Sequence, residues 1–347
     1  MSGTGKRSNP PRPGRARQAD VARAAGVHPS TVSLALRAET RGLISPEVAA
    51  RIRAAAERLG YQPDTVAASM RTGRSRSIAM LLHDIADPVY PPIVKGVESV
   101  AREAGYVLIS GNTAYDAHKE ASLLDNFLAR RVDGVILATT RLEDPLVDTV
   151  LARGVPLVSV FRRPANAQVT SIVNDCDTGM RAIVEHLQQR GHRNLALLSA
   201  PTDISSGRER RDGFLAALWP ETRHRIEYLG PLTAEEGFAA AGRVLADRSD
   251  RPDAIVCVND LAALGAYRAL RDAGLRCPQD ISVTGFNDLP FTDMLDPPLT
   301  TVRVRLYEMG IAAGRALLGF LNEPPVAPSS RRLPCEVRLR GSVIDRR

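Results

Sequence analysis

An α/β fold led by a small all-α module is predicted for this 347-residue chain by three observations. The excess of positive over negative charge is confined to the first fifth of the sequence. Helical patterns punctuated by Gly and Pro fill residues 18–60, and from Ile78 onward short apolar runs alternate with helical stretches. Strand–helix alternation implies parallel sheets built by right-handed crossovers, and two such doubly wound units side by side leave a ligand cleft at their strand ends.

Hydrophobic residues make up 44% of the chain, which is too long for one compact core and suits two or three domains. No run approaches the roughly 20 apolar residues of a membrane helix, and no apolar segment follows the basic N-terminus, so a soluble cytoplasmic protein without membrane contact is expected. Cys176, Cys257, Cys277 and Cys335 are far apart, with none of the close pairs of a zinc or redox site, and read as buried thiols. Neither a metal nor another cofactor is expected.

Residues 1–77 hold 14 Lys+Arg against 5 Asp+Glu, leaving 32 against 34 for the rest. Confinement of the excess to one segment favours a polyanion partner, whose phosphates it would neutralise in a salt-dependent way.

Residues 1–17 lack apolar periodicity and read as a disordered basic arm. A first helix carries Val21, Ala22 and Ala25 on one face, has Asp20 in its opening turn, and stops at Gly26. After a tight turn at Val27 and His28, Pro29 suits the first position of a second helix with Val32, Ala35 and Leu36 inside. Ser45 and Pro46 open a third, whose stripe is Val48, Ile52, Ala55, Ala56 and Leu59, closed by Gly60. Residues 61–77 are a linker with a short amphipathic patch at Val66, Ala67 and Met70. Candidate strands then fall at 78–82, 106–109, 134–138, 156–160, 194–198, 254–258 and 281–285. Candidate helices fall at 92–104, 119–130, 178–190, 207–218, 234–247 and 261–273.

The stretch ADVARAAGVHPSTVSLAL (19–36), followed by VAARIRAAAERLGYQP (48–63), resembles the LacI/GalR family of bacterial transcription regulators. Further similar segments run through the chain, among them RTGRSRSIAM (71–80), DIADPVY (84–90), LARRVDGVIL (128–137), RERRDGF (208–214), VNDLAALGAYRAL (258–270) and ISVTGFNDLP (281–290). The resemblance implies a helix-turn-helix headpiece (18–61), a hinge helix and linker (62–77), and an effector-binding core (78–340) of periplasmic-binding-protein type. The first lobe of that core is expected at about 78–174 plus 305–325, and the second at about 175–303 plus 326–340. A repressor is implied, a homodimer reading a pseudo-palindromic operator in double-stranded DNA under the control of a small-molecule effector, a sugar or related metabolite.

Residue by residue, the resemblance places Pro29, Ser30 and Leu34 of the second helix at base edges. Many relatives carry Arg where Leu34 stands, so loss of a guanine-reading fork alters the expected operator. His28, Thr31 and Ser33 are expected on phosphates and Arg17 is also expected to contact DNA; Arg17 replaces a common Thr cap at the start of the first helix, which is expected to fray or shift there. Met70, with Ala67 one turn earlier, matches the minor-groove wedge of a hinge helix that forms on operator DNA.

In the core the resemblance assigns effector contact to Arg210 and to Asn259 and Asp260. Asn287 stands where relatives often have Asp, as does Phe161, and Val304 replaces a commonly polar residue, making the expected pocket less acidic and more apolar. Asp84, Asp87, Tyr90 and His83 follow the first core strand and are expected to line the first lobe's side; a lone histidine most often satisfies a local hydrogen bond.

The basic headpiece, with no signal peptide, argues against a transport binding protein. An enzyme is disfavoured because no Gly-x-Gly-x-x-Gly, phosphate-cradling Gly-rich loop with Lys, or metal-spaced histidine pair is present. Control by a protein corepressor stands as the alternative to a metabolite. The C-terminal residues after Pro334 carry no heptad run, so a dimer formed through core helices such as 92–104 and 119–130 is expected over a tetramer.

Overall fold

The computed structural model describes residues 16–36, 44–62, 73–322 and 327–347. It divides into two compact units, 1–75 and 76–347, taken in turn.

The first unit contains α1 (Gln18–Ala25), α2 (Pro29–Ala35) and α3 (Pro46–Arg58). Helix α1 follows Arg17 directly, and the Asp20 carboxylate accepts the Arg17 N–H at 2.9 Å, holding the start that a Thr cap would otherwise hold. Gly26 ends the helix at φ 63°, a left-handed turn that costs glycine nothing, and the Val27 N–H returns to the Ala22 carbonyl. Pro46 opens α3, with Ser45 accepting the Val48 N–H. The three helices share a small core of Val21, Ala22, Ala25, Val32, Ile52, Ala55 and Ala56. Arg51 adds a tie between α3 and α1, donating to the Ala25 carbonyl at 2.9 Å.

The second unit has two α/β lobes. In the first, β1 (Ser77–Leu82), β2 (Val107–Asn112), β3 (Gly134–Leu137), β4 (Leu157–Val160), β5 (Thr170–Asn174) and β11 (Ser330–Leu333) form a parallel sheet in the order β11-β5-β4-β3-β1-β2. Central strands buried on both faces read as continuous apolar runs, as SIAMLL does in β1, where Met80 lies between Ser110 and Ile136. The helices are α4 (Tyr90–Glu103), α5 (Ala117–Ala129), α6 (Pro145–Ala152) and α11 (Leu306–Asn322). Helices α4 and α11 approach so closely at Gly96 and Gly310 that a Cβ on Gly310 would lie 2.1 Å from the Ile93 carbonyl oxygen.

The second lobe has a parallel sheet in the order β7-β6-β8-β9, built from β6 (Asn194–Ser199), β7 (Arg223–Tyr228), β8 (Ala254–Cys257) and β9 (Ser282–Thr284). Its helices are α7 (Cys176–Gln189), α8 (Ser205–Ala217), α9 (Ala234–Ala246) and α10 (Asp260–Asp272). Between the lobes, β10 (Thr301–Arg303) pairs antiparallel with β12 (Glu336–Arg338). The chain therefore passes between lobes three times, after β5, after β10 and after β11. One expectation is corrected here: Ser330–Leu333, placed with the second lobe from sequence, are the edge strand of the first, in register with Ser171–Asn174. A large apolar cluster runs from Met80, Ile93 and Ile136 through Phe286 and Val302 to Leu197 and Val256, joining the two lobes through the crossings. Separate clusters cover the outer faces of both sheets. No helix among the described residues is long and apolar enough to cross a membrane.

Candidate functional site

Two sites emerge, one in each unit. In the first, His28 caps α2: its Nδ1 accepts the Ser30 N–H at 3.3 Å and lies 2.7 Å from Ser30 Oγ. With Pro29 at the first helical position, φ is preset and no amide is wasted. Val32 is fully buried against α1 and α3, and at about 100° per residue the helix turns Ser30 and Leu34 to the side away from it. Arg17, His28, Pro29 and Ser30 are exposed, and Thr31, Ser33 and Leu34 are half-buried. Ala67 and Met70, the expected hinge contacts, lie outside the described residues, as does most of the basic arm.

The second site is a cavity at the C-terminal ends of the parallel strands, where the lobes face each other. Tyr90, at the start of α4, and Phe161, just past β4, wall it from the first lobe; Arg210 of α8, Asn259 and Asn287 wall it from the second. The volume left is about 20 Å3, room for a single water molecule. Phe161 sits at φ 70°, a left-handed conformation costly to an aromatic residue, with its N–H bonded to the Ile172 carbonyl at 2.9 Å; its ring meets Tyr90 edge-on at 6.4 Å. Around the rim the lobes are latched. Leu142 N–H donates to the Asp203 carbonyl at 2.8 Å, Arg141 pairs with the Asp203 carboxylate, Arg163 N–H donates to Ser205 Oγ at 2.9 Å, and Arg163 Nε reaches Glu209 at 3.1 Å.

Of the residues expected on the effector, Asp87, Tyr90, Phe161, Arg210, Asn259 and Asn287 line this cavity. Asp87 holds the Val89 N–H at 3.0 Å, and burial raises its pKa; burial likewise raises that of Tyr90. Arg210 is 3% exposed, donates to the Val258 carbonyl at 2.6 Å and to Asn287 Oδ1 at 3.3 Å, and stacks its guanidinium 3.8 Å above the Phe286 ring. Asn287 holds φ 118°, which points its amide at Arg210. Asn259 is committed to the fold at both ends of its amide, capping α10 through the Ala262 N–H at 2.8 Å and donating to the Leu232 carbonyl at 2.9 Å.

Asp260 and Asp84 are corrections. Asp260 is fully buried behind the cavity wall, where it accepts from Leu289 N–H at 2.8 Å and Thr301 Oγ1 at 2.6 Å and so ties α10 to β10. Burial pushes its pKa up to about 6. The Asp84 carboxylate caps its own loop at the Ala86 N–H, outside the lining. Val304 likewise lies outside this cavity, in a surface groove beside the β10–α11 connection.

Sequence reasoning missed Arg162 and Tyr115, which also line the cavity. Arg162 is 4% exposed and donates to His83 Nε2 at 2.9 Å, while His83 Nδ1 meets Thr113 Oγ1 at 3.1 Å and its ring stacks on Tyr115 at 4.4 Å. Arginine can only donate, so Nε2 is the acceptor and the ring proton sits on Nδ1. Burial, with Arg162 and Arg141 adding repulsion, holds the His83 pKa down at about 3. In the sequence Arg162 is one of two adjacent arginines, and nothing in that pair says which one turns inward.

Residues 19–64 match the model of the lacI family of bacterial regulatory proteins, and residues 184–343 match that of the periplasmic binding protein-like domain. The chain is 30% identical to the HTH-type transcriptional repressor CytR of Escherichia coli (strain K12), covering 93% of this chain and 95% of that protein. It is 31% identical to the ribose operon repressor of the same strain, covering 93% and 98%. Among solved structures, the lac repressor dimer bound to operator and the anti-inducer ONPF superposes with a TM-score of 0.85 at 28% identity, covering 95% of this chain and all of that one. The complex of the transcriptional regulator CelR with cellobiose gives 0.71 at 30% identity, covering 94% and 100%.

Proposed function

The chain belongs to the lacI family of bacterial regulatory proteins, DNA-binding transcriptional repressors, and from that premise we propose an operator-binding dimer released or recruited by a small polar metabolite held between its lobes. Two headpieces related by a two-fold axis read a pseudo-palindromic operator in the cytoplasm, because half-site spacing mirrors protein symmetry. Pro29, Ser30 and Leu34 of α2 face base edges. Arg17, His28, Thr31 and Ser33 hold phosphates, and Ala67 and Met70 belong to the minor-groove contact. The core helices expected to form the dimer face are α4 and α5.

The carrying observation is the closed cavity. Its roughly 20 Å3 admits one water, so a metabolite enters only where the lobes part at the Arg141–Asp203 and Arg163–Glu209 latches. A ligand that binds one lobe arrangement better than the other shifts the equilibrium between them, and the three crossings transmit the shift toward the N-terminal unit. Arg210, Asn287, Tyr90, Phe161 and Asp87 supply contacts; Asn259 holds the wall in place.

The test is genomic footprinting of the full-length protein, followed by gel-shift on the recovered operator with metabolites handled by the adjacent genes. The proposal expects a two-fold symmetric footprint, a dimer by analytical ultracentrifugation at micromolar protein, and a change in operator affinity with a metabolite. An asymmetric footprint with a monomeric protein refutes it.

A further inference from the structure

We infer that the interlobe cavity is built for an anion, a small carboxylate or phosphate ester, in preference to a neutral sugar; this rests on the effector reading above. Two guanidiniums line it, Arg162 from the first lobe and Arg210 from the second, 4% and 3% exposed. Neither makes an ion pair with a described carboxylate. The partners of Arg162 and Arg210 are His83, the Val258 carbonyl and Asn287, all electrically neutral. His83 cannot offset charge in any protonation state, and as the acceptor of an arginine N–H it is held uncharged. Nε of each arginine is buried without a hydrogen-bond partner.

A buried guanidinium ordinarily has a carboxylate or phosphate against it, because desolvating an unpaired cation costs several kcal/mol. Here two face one space whose lining holds one acid, Asp87, leaving a formal excess of one positive charge. Asp87 is itself partly spent on the Val89 N–H. A bound anion supplies the missing charge, and the planar fork of arginine fits both carboxylate and phosphate oxygens. Tyr90, Tyr115 and Phe161 add aromatic rings to the same lining, which suits the carbon skeleton of the ligand. Phe161, held in a left-handed backbone, contributes an aromatic ring and no charge to the same lining.

The experiment is isothermal titration calorimetry on the full-length protein with matched probes: glucose, gluconate and glucose 6-phosphate, then ribose and ribose 5-phosphate, with inorganic phosphate as a minimal competitor. The anionic member of a set is expected to bind about 10- to 100-fold more tightly than its neutral parent, to weaken with added salt, and to be displaced by phosphate. The gluconate and phosphate-ester arms separate a carboxylate from a phosphate ligand. R162Q and R210Q should each weaken that binding about 10-fold or more with the circular dichroism of the folded protein unchanged, which also separates the cavity from anion binding elsewhere. Should either variant fail to fold, the salt dependence and phosphate competition of the unaltered protein carry the test. Equal or tighter binding of a neutral parent overturns the anion inference and leaves the effector reading standing. Silence from every probe, with operator binding intact, overturns the anion inference too, and operator release by an unrelated neutral metabolite would then show the effector reading surviving alone.

Discussion

Acidification should destabilise the core through His83, by an amount that follows from the geometry. The folded imidazole is neutral, its Nε2 accepting from Arg162, with a pKa held at about 3 against 6.5 when unfolded. A depressed histidine means that the unfolded chain takes up the proton first, so stability is lost as pH falls below 6.5 and the loss saturates near pH 3. At pH 5 the cost is about 1.4 kcal/mol for each of one and a half pH units, or about 2 kcal/mol, and it depends on the unfolded value as long as the folded one stays below about 4. Asp260 works in the opposite sense: burial raises its folded pKa to about 6, so folding favours its proton and stability rises as pH falls from 6 toward 3.8. The unaltered protein therefore shows a partly cancelled slope. H83Q keeps an acceptor for Arg162 and removes the titration. Urea unfolding followed by the fluorescence of Trp219, the sole tryptophan, at pH 5 to 8 should give a difference curve between H83Q and the unaltered protein that is flat above pH 6.5 and changes by about 2 kcal/mol by pH 5. Imidazole NMR should find the Nδ1–H tautomer, with no titration before about pH 4. A flat difference curve, or a midpoint between 6 and 7, refutes the buried Arg162–His83–Thr113 arrangement.

Helix packing offers a sharp contrast. G310A drives a Cβ to 2.1 Å from the Ile93 carbonyl oxygen and should cost about 3 kcal/mol, whereas G242A, on a helix face with nothing within 4 Å, should gain roughly 0.5–1 kcal/mol; denaturant midpoints decide. E209Q breaks the Arg163 and Arg332 contacts across the cleft, at 3.1 and 3.2 Å, and should shift small-angle scattering of the free protein toward an open form, with no change in operator half-site sequence. L34R should move selection of random operators toward guanine at one position of each half-site, a preference of about 1–3 kcal/mol; an unchanged selected sequence removes Leu34 from the base edge.

Strand and helix placement was largely legible in the sequence because both signals are local. The runs near Ile78, Gly134, Asn194 and Ala254 became buried central strands, and Gly26, Pro29, Ser45 and Pro46 punctuated the headpiece helices where expected. Two edge strands escaped. Strand β7 (RHRIEY) is only half-buried and β11 (SRRL) is exposed along most of its length, so neither carries an apolar pattern. Their strand character comes from a neighbour's free edge, which is also why β11 was placed in the wrong lobe.

Residue types and chain order, then, were enough to predict a basic module of three short helices ahead of two parallel α/β units, since periodicity, caps and charge are properties of neighbouring residues. Only the tertiary structure decided the chemistry between the lobes. It buried Arg162 while leaving Arg163 on the rim, turned Asp260 from the cavity into a strut on Thr301, and spent Asn259 on a helix cap. Each outcome depends on which partners distant segments bring within about 3 Å, and on the desolvation that follows, and neither is encoded in the spacing of residues along the chain.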